Sequence, residues 1–246
     1  MATTDTLSSF VLPGEALDPS QIPTHKKKAL QIGPGLRHIP PSTIVPTVAG
    51  QLVADPKKNS LWVEYNGGRY IPATGDLVIG QVHHGAADFY YVSLSPHTPN
   101  ALLPTLAFEG ATKKTRPLLS AGALVYARVA LANKHMDPEL ECAHPATGKA
   151  DGLGPLAGGM AYTVSLGFAR RLLMAGAGGA VVVLEELGGL GLSFETAVGR
   201  NGRVWVGSES VRTVMAVGRA LRETDEGNLD EERQRKLARK LAREMS

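Results

Sequence analysis

Cysteine is almost absent, with Cys142 alone among 246 residues. A single thiol excludes an intrachain disulfide, and the chain suits a reducing compartment. Long apolar runs are missing as well. The longest, residues 172–184, is interrupted by glycines and stops at Glu185, too short to span a bilayer. No basic stretch followed by an apolar core opens the chain, so a secretory leader is not expected. Charge of one sign is also lacking. The net charge is +3, below the basic excess of a protein that grips duplex DNA alone.

Aromatic residues are few, at 5%, whereas glycine (28) and proline (16) are plentiful. This balance favours several small β-rich units joined by tight turns over one large helical core. Positive charge is local: Lys26-Lys27-Lys28, Lys57-Lys58, and Lys113-Lys114 with Arg116. Such clusters can touch phosphate, and each is also compatible with a solvated surface run.

The pattern divides the chain into residues 1–68, 69–152 and 153–246. The first segment is rich in Pro, Gly and Thr. It offers one strand pair over 44–65, connected by Asp55-Pro56-Lys57-Lys58-Asn59. With so few large apolar residues it is expected to need a neighbouring surface. In the second segment, short strands at 77–82, 89–92 and 124–129 suggest a small barrel. Residues 96–117 read as an irregular inter-strand connection, and the glycine-rich stretch 148–159 as a linker or extended turn. The third segment reads β-α-α-β-β-α, the order of a KH domain. Its last long helix is expected to be capped by Ser208. A final helix over 229–245, with Glu232 and Lys236 four apart, reads as solvated. The expected fold class is therefore mixed α+β and multidomain.

No nucleophile, base and orienting group stand together, and no carboxylate cluster offers a metal site for nuclease chemistry. His83 and His84, as neighbours on a strand, are expected to face opposite ways and share no ion. Cys142 and His144 have no further ligands nearby. Gly148-Lys149 lacks the flanking residues of a P-loop. Glu185-Glu186 has no partnering base. No metal and no cofactor are therefore expected. Gly199-Arg200-Asn201-Gly202 resembles the phosphate clamp of ordinary KH domains. It lies between two strands, however, where Asn-Gly signals a hairpin turn. It is therefore read as structural, with Trp205 after it as a packing residue. Gly176-Ala177-Gly178-Gly179 does occupy the clamp position, without a basic residue at its tip. Of Phe89, Tyr90 and Tyr91, alternation puts Phe89 and Tyr91 on one face and Tyr90 on the other, so only part of the trio is free to stack on bases. The best phosphate candidates are Lys113, Lys114 and Arg116, in a barrel connection where an OB-type fold presents ligand contacts.

Several ordered stretches resemble one family. They are Tyr70-Ile71-Pro72-Ala73-Thr74-Gly75-Asp76-Leu77-Val78-Ile79-Gly80, Phe108-Glu109-Gly110-Ala111-Thr112-Lys113-Lys114-Thr115-Arg116-Pro117, Ala132-Asn133-Lys134-His135-Met136-Asp137-Pro138-Glu139-Leu140, and Gly199-Arg200-Asn201-Gly202-Arg203-Val204-Trp205-Val206. Together they resemble the KH-and-S1 cap subunits of the RNA exosome, from about Leu12 to Leu221. The resemblance implies an N-terminal β domain, an S1 (OB-fold) barrel and a KH domain. It further implies a non-catalytic subunit that caps a ring of inactive RNase PH-like proteins. Such a subunit sits beside other cap subunits and guides single-stranded RNA into a channel for 3'-5' processing and decay, including rRNA maturation. Nuclear and nucleolar residence, with a cytoplasmic fraction, follows from the same resemblance. One position departs: where the family has an acidic residue between Lys134 and Met136, this chain has His135. Two other readings remain: a free-standing S1/KH RNA-binding regulator, and an RNA-degrading enzyme.

Overall fold

The structure is a computed structural model that describes residues 10–245 except 26–27, 57, 66, 97, 145 and 175–180. Gly176-Ala177-Gly178-Gly179, Lys26, Lys27 and Lys57 thus lie outside the described residues. The chain divides into two compact units, Met1–Gly67 and Gly68–Ser246. Among the described residues, no helix is long and apolar enough to cross a membrane.

The first unit contains β1 (Phe10–Val11), β2 (Gln31–Ile32), β3 (Leu36–Ile39), β4 (Thr43–Pro46), β5 (Gly50–Asp55) and β6 (Ser60–Glu64). One sheet has the order β1-β5-β6-β2, and β3 pairs with β4. The β5–β6 hairpin falls within the expected pair. Its turn is closed by Asn59 in the left-handed region (φ 53°). Asp55 Oδ1 accepts from the Lys58 amide there at 3.2 Å. Contrary to expectation, this unit has a core of its own: Val11, Leu17, Ile44, Leu52, Leu61 and Val63. Bare glycine lets the backbone close on that small cluster. A Cβ at Gly35 would stand 2.8 Å from Val63 Cβ.

The second unit begins with an S1 barrel built from β7 (Leu77–Gly85), β8 (Phe89–Ser93), β9 (Ala101–Pro104), β10 (Leu124–Asn133) and β11 (Met136–Glu141). The sheet order is β11-β9-β8-β7-β10, and β11 pairs back onto β10 to close it. Alternation sends Val78, Val82, Tyr90, Val92, Leu103, Val125, Ala127 and Leu140 inward. Gly80 is bare because any Cβ there would strike Val92. The 96–117 stretch is not wholly irregular, since β9 completes the barrel within it. The 148–159 stretch is not merely a linker. It contains β12 (Gly154–Leu156), which pairs antiparallel with β10 through Leu124↔Leu156.

The KH domain follows as β13 (Met160–Thr163), α1 (Leu166–Leu173), α2 (Val183–Gly189), β14 (Glu195–Gly199), β15 (Arg203–Gly207), α3 (Val211–Glu226) and α4 (Glu231–Met245). Its sheet runs β13-β15-β14. One face of the sheet carries the helices around Phe168, Val183, Leu187, Val204, Val217 and Leu221. Ser165 caps α1, accepting from the Phe168 amide at 3.1 Å while its own hydroxyl donates to Asp225 on α3 at 2.6 Å. The cap of α3 is Ser210 rather than Ser208. The Ser208 hydroxyl is instead used on the Ser193 carbonyl at 2.7 Å.

The terminal helix also differs from expectation. Its charge pairs, such as Lys236–Glu232 at 2.7 Å, face solvent, but Leu237, Ala238 and Leu241 join the KH core. Gln234 is buried with them. Its Oε1 accepts from the Val182 amide at 2.9 Å, and its Nε2 donates to the Leu229 carbonyl at 2.8 Å. The apolar positions at i, i+1 and i+4 form a narrow stripe that dense surface charge obscures in the sequence. Because Leu241 is 2% exposed, Leu241→Ala is expected to destabilise the KH domain by about 2–5 kcal/mol. Urea unfolding followed by helical circular dichroism measures this, and an unchanged midpoint would return α4 to a solvated role.

Candidate nucleic-acid interface

The loop between β9 and β10 is braced at several points. Glu109 Oε2 accepts from the Ala150 amide at 2.7 Å, and the Tyr90 hydroxyl donates to the Pro117 carbonyl at 2.8 Å. Between these anchors the chain makes a tight turn. The Thr115 and Arg116 amides both donate to the Thr112 carbonyl, at 3.1 and 2.9 Å. The two threonine hydroxyls lie 2.8 Å apart, and that of Thr115 also donates to the Gly110 carbonyl at 3.2 Å. Lys113 and Lys114 are exposed on this turn. Arg116 does something different. Its Nη1 donates to the Ala87 carbonyl and to Thr105 Oγ1, each at 3.0 Å. The three basic residues read together from the sequence therefore divide into two free ammonium groups and one bracket that fixes the loop to the barrel.

The outer face of β7 and β8 lies beside the same end of the barrel. Tyr90 is inside and Phe89 is 38% exposed, as alternation requires. Tyr91 is half-buried and stacks on His84, with ring centroids 4.3 Å apart and planes 17° from parallel. His83 and His84 do not face opposite ways. A register shift between Val82 and His84 breaks the alternation, and their Nδ1 atoms come within 2.9 Å. A bulge of this kind cannot be read from two adjacent histidines. Among the described residues no group of three or more His, Cys, Asp or Glu side chains could hold a metal ion. Cys142 is buried in the barrel, and that burial, with help from Glu141, pushes its thiol up to about 12. Asn133 holds the β10–β11 turn, its Oδ1 accepting from the His135 and Met136 amides at 2.9 Å. The turn therefore uses the backbone of residue 135, whose side chain is exposed.

Gly199-Arg200-Asn201-Gly202 points away from any RNA clamp. It turns between β14 and β15 and plugs into the S1 barrel. Asn201 is 7% exposed. Its Nδ2 donates to the Leu94 and Ile79 carbonyls at 2.7 and 2.9 Å, and its Oδ1 accepts from the Ile79 amide at 3.2 Å. The Arg200 amide donates to the Leu77 carbonyl at 2.7 Å, and its guanidinium lies 3.4 Å from Asp76. Asp76 in turn accepts from the Tyr70 hydroxyl at 2.9 Å. Burial, then the Asp76 carboxylate, hold that phenol above its ordinary range. Arg203 Nη1 donates to the Ser93 carbonyl at 3.2 Å, and the Tyr126 hydroxyl to the Val198 carbonyl at 3.2 Å. Burial lowers the Arg203 guanidinium from its usual value.

Only Gly202 of the Asn-Gly pair takes positive φ, at +74°, while Asn201 does not. Asn201 thus serves through its amide rather than through left-handed backbone. Gly199 has no room for a side chain beside Asn201 Oδ1 and the Ile79 amide. Trp205 packs with Ile79 and Ala197 on the sheet face opposite the helices, and its Nε1 donates to the Gly158 carbonyl at 3.0 Å. It is a packing residue.

An OB-type barrel locked by a buried turn to a βααββα domain, with bare lysines on one barrel loop, defines an S1–KH protein. Family models agree in chain order. Residues 30–69 match the Exosome complex exonuclease Rrp40 N-terminal domain, 70–154 the Exosome complex component RRP40, S1 domain, and 159–212 the KH domain. The chain belongs to the RRP40 family of exosome complex components. It is 42% identical over 221 residues to exosome complex component rrp40 of Schizosaccharomyces pombe, covering 88% of each chain. It is 35% identical over 228 residues to RRP40 of Saccharomyces cerevisiae, covering 90% of this chain and 91% of that one. Against RRP40 of Homo sapiens it is 34% identical over 208 residues, covering 82% and 73%. A solved structure described as "Crystal structure of putative exosome complex RNA-binding protein" superposes with a TM-score of 0.58 at 21% identity. It covers 72% of this chain and 99% of its own, and shows the fold alone.

Asn201→Ala is expected to orphan the Ile79 and Leu94 carbonyls and the Ile79 amide. At about 1–3 kcal/mol for each buried group left unpaired, the loss should reach at least ~3 kcal/mol. Denaturant unfolding measures it, and hydrogen exchange at the Ile79 amide should accelerate in step. Gly202→Ala should cost about 1 kcal/mol or more, because the new Cβ would stand 2.6 Å from the Val164 carbonyl oxygen.

Proposed function

We propose that this chain is a non-catalytic cap subunit of an RNA exosome. In this reading it bridges RNase PH-like ring subunits beside other cap subunits and guides single-stranded RNA into the central channel. The first unit supplies docking surface to the ring, and the S1–KH unit presents RNA-contacting residues to the channel mouth. The work is 3'-5' RNA processing and decay, including rRNA maturation, in the nucleus and nucleolus and also in the cytoplasm. Membership of the RRP40 family supports the assembly. No residue of this chain is assigned a chemical step, and hydrolysis belongs to other subunits.

The observation that carries RNA contact is the pair Lys113 and Lys114, exposed on a turn whose two ends are tied to the barrel. A fixed turn keeps two ammonium groups in place without ordering the loop at each encounter. Lysine attracts phosphate as a point charge and reads no base, which suits RNA of any sequence passing through. The exposed edge of Phe89 adds a place against which a base can rest.

The test compares Lys113→Ala/Lys114→Ala with Arg116→Ala in the reconstituted complex. The double lysine variant should keep its melting temperature and lose RNA crosslinking, more at low salt than at high salt. Arg116→Ala should lower the melting temperature, because it frees the loop from Ala87 and Thr105. Unchanged crosslinking and unchanged salt dependence in the lysine variant would assign the turn to solvent or to a protein neighbour. Failure of the full-length chain to join a competent ring would remove the cap-subunit reading itself.

A further inference from the structure

We infer that the free edge of β13, together with the exposed stripe of α3 beside it, is a docking site for an extended, acidic segment of a partner protein, which adds as a fourth strand. The inference does not depend on RNA contact at Lys113 and Lys114. It starts from backbone groups left without partners. In the β13-β15-β14 sheet, β13 is an edge. Its register sets Met160 opposite Val206 and Tyr162 opposite Val204. The next residue of that alternation, Val164, donates its amide to the Gly202 carbonyl at 2.8 Å. Residues 160, 162 and 164 thus turn their backbone groups toward β15. Those of Ala161 and Thr163 turn outward, and no described residue bonds to them. An unpaired edge of this kind is a template for another strand.

The side chains along that edge suit the same occupant. Tyr162 faces the helices: its hydroxyl donates to the Val214 carbonyl at 2.8 Å, and its ring fills the place of a side chain at Gly218. By alternation Met160 faces the same way. Gly218 belongs to the helical stripe 211, 215, 218, 222, so the ring of Tyr162 locates β13 beside it. On that stripe Val211 is 73% and Met215 63% exposed, and Met160 is 53% exposed. Three large exposed apolar side chains on and beside that stripe call for a cover, and methionine suits a surface that must mould to a partner.

Charge selects the kind of cover. Arg212 and Arg222 flank Met215 on the exposed side of α3, and neither makes an ion pair among the described residues. Arg219 between them is already held by Glu223 at 2.6 Å and by Glu244 at 3.0 Å. Burial raises the Tyr162 phenol above its ordinary value, and the charge of Arg222 opposes that rise. A strand laid on β13 would set alternate apolar residues over Met160 and Met215, and acidic residues toward Arg212 and Arg222. RNA would also meet the arginines. It would leave the Ala161 and Thr163 edge unpaired and the aliphatic patch uncovered, so protein is the better fit.

A fluorescein-labelled ten-residue peptide alternating Val and Glu serves as the probe against the full chain. Its counterpart alternates Val and Lys, and a uridine oligonucleotide is the competitor. The Val-Glu peptide is expected to bind in anisotropy titration, and to slow hydrogen exchange at the amides of Ala161 and Thr163. Ala161→Pro removes an outward N–H from an edge position, where proline is tolerated. It should weaken binding at least tenfold without lowering the melting temperature. Met215→Glu, on an exposed site, should do the same through charge and covers the case in which the proline variant folds poorly. The assignment is overturned if the Val-Lys peptide binds equally well, or if neither variant changes affinity. It is also overturned if the oligonucleotide displaces the peptide, or if the two amides are protected in the chain alone as its concentration rises, which would make the occupant a second copy.

Discussion

Two backbone carbonyls in the S1 barrel, those of Ile79 and Leu94, are removed from water where the KH domain covers them. A buried carbonyl needs a donor. Both receive theirs from the one amide of Asn201. The same side chain accepts from the Ile79 amide, so three of its four hydrogen-bonding valences are spent across one domain junction. Everything else at the junction follows from seating that amide. Gly199 must be bare beside it, Gly202 must take a left-handed turn immediately after it, and Arg200 must leave toward Asp76. Apolar area alone holds two domains together without fixing their angle. A buried amide matched to three backbone groups has one solution, because any slip leaves those groups unpaired.

That single orientation has a functional consequence under the proposed role. The β9–β10 loop carries its lysines on the barrel, while the β13 edge belongs to the KH domain of the same unit. A junction that hinged would blur the relation between them, and a subunit that guides a strand while touching neighbours has to hold both surfaces at once. The apparent RNA-binding motif has therefore been turned to a structural use. In a KH domain whose Gly-x-x-G lies between helices, exposed amides meet phosphate. Here the Gly-x-Asn-Gly sits between strands, and its polar groups are consumed by the neighbouring domain.

Much of this was legible in the residues, and the limits have physical causes. The βααββα order, the barrel strands at 77–82, 89–92 and 124–129, and the inward aim of Tyr90 all follow from period-two alternation and turn chemistry. The structural reading of Asn-Gly also followed from its place between strands. The mechanism given by that signal was incomplete, since propensity describes Asn201's own backbone and says nothing of carbonyls more than a hundred residues earlier in the chain. β9 escaped notice because Ala101-Leu102-Leu103-Pro104 is short, lacks β-branched residues and ends in proline. β12 was hidden in a glycine-rich stretch that reads as a turn. The bulge at His83 reverses a rule that holds for regular strands only. Arg116 was grouped with its lysine neighbours because charge is local in sequence, whereas its partners Ala87 and Thr105 are close only after folding.

The terminal helix shows how charge density conceals packing. Nine of the fifteen residues of α4 are Glu, Lys or Arg, which by composition describes a solvated rod. Leu237, Ala238 and Leu241 nonetheless fall on one stripe, and Gln234 extends it by one turn with a polar group that bonds inward. The Val182 amide at the start of α2 has no acceptor within its own helix. Gln234 supplies that acceptor from another helix. The helix that seemed least bound to the domain thus completes both its apolar core and its hydrogen bonding. The domain draws on residues past the βααββα core for both packing and hydrogen bonding, so its folding unit includes α4.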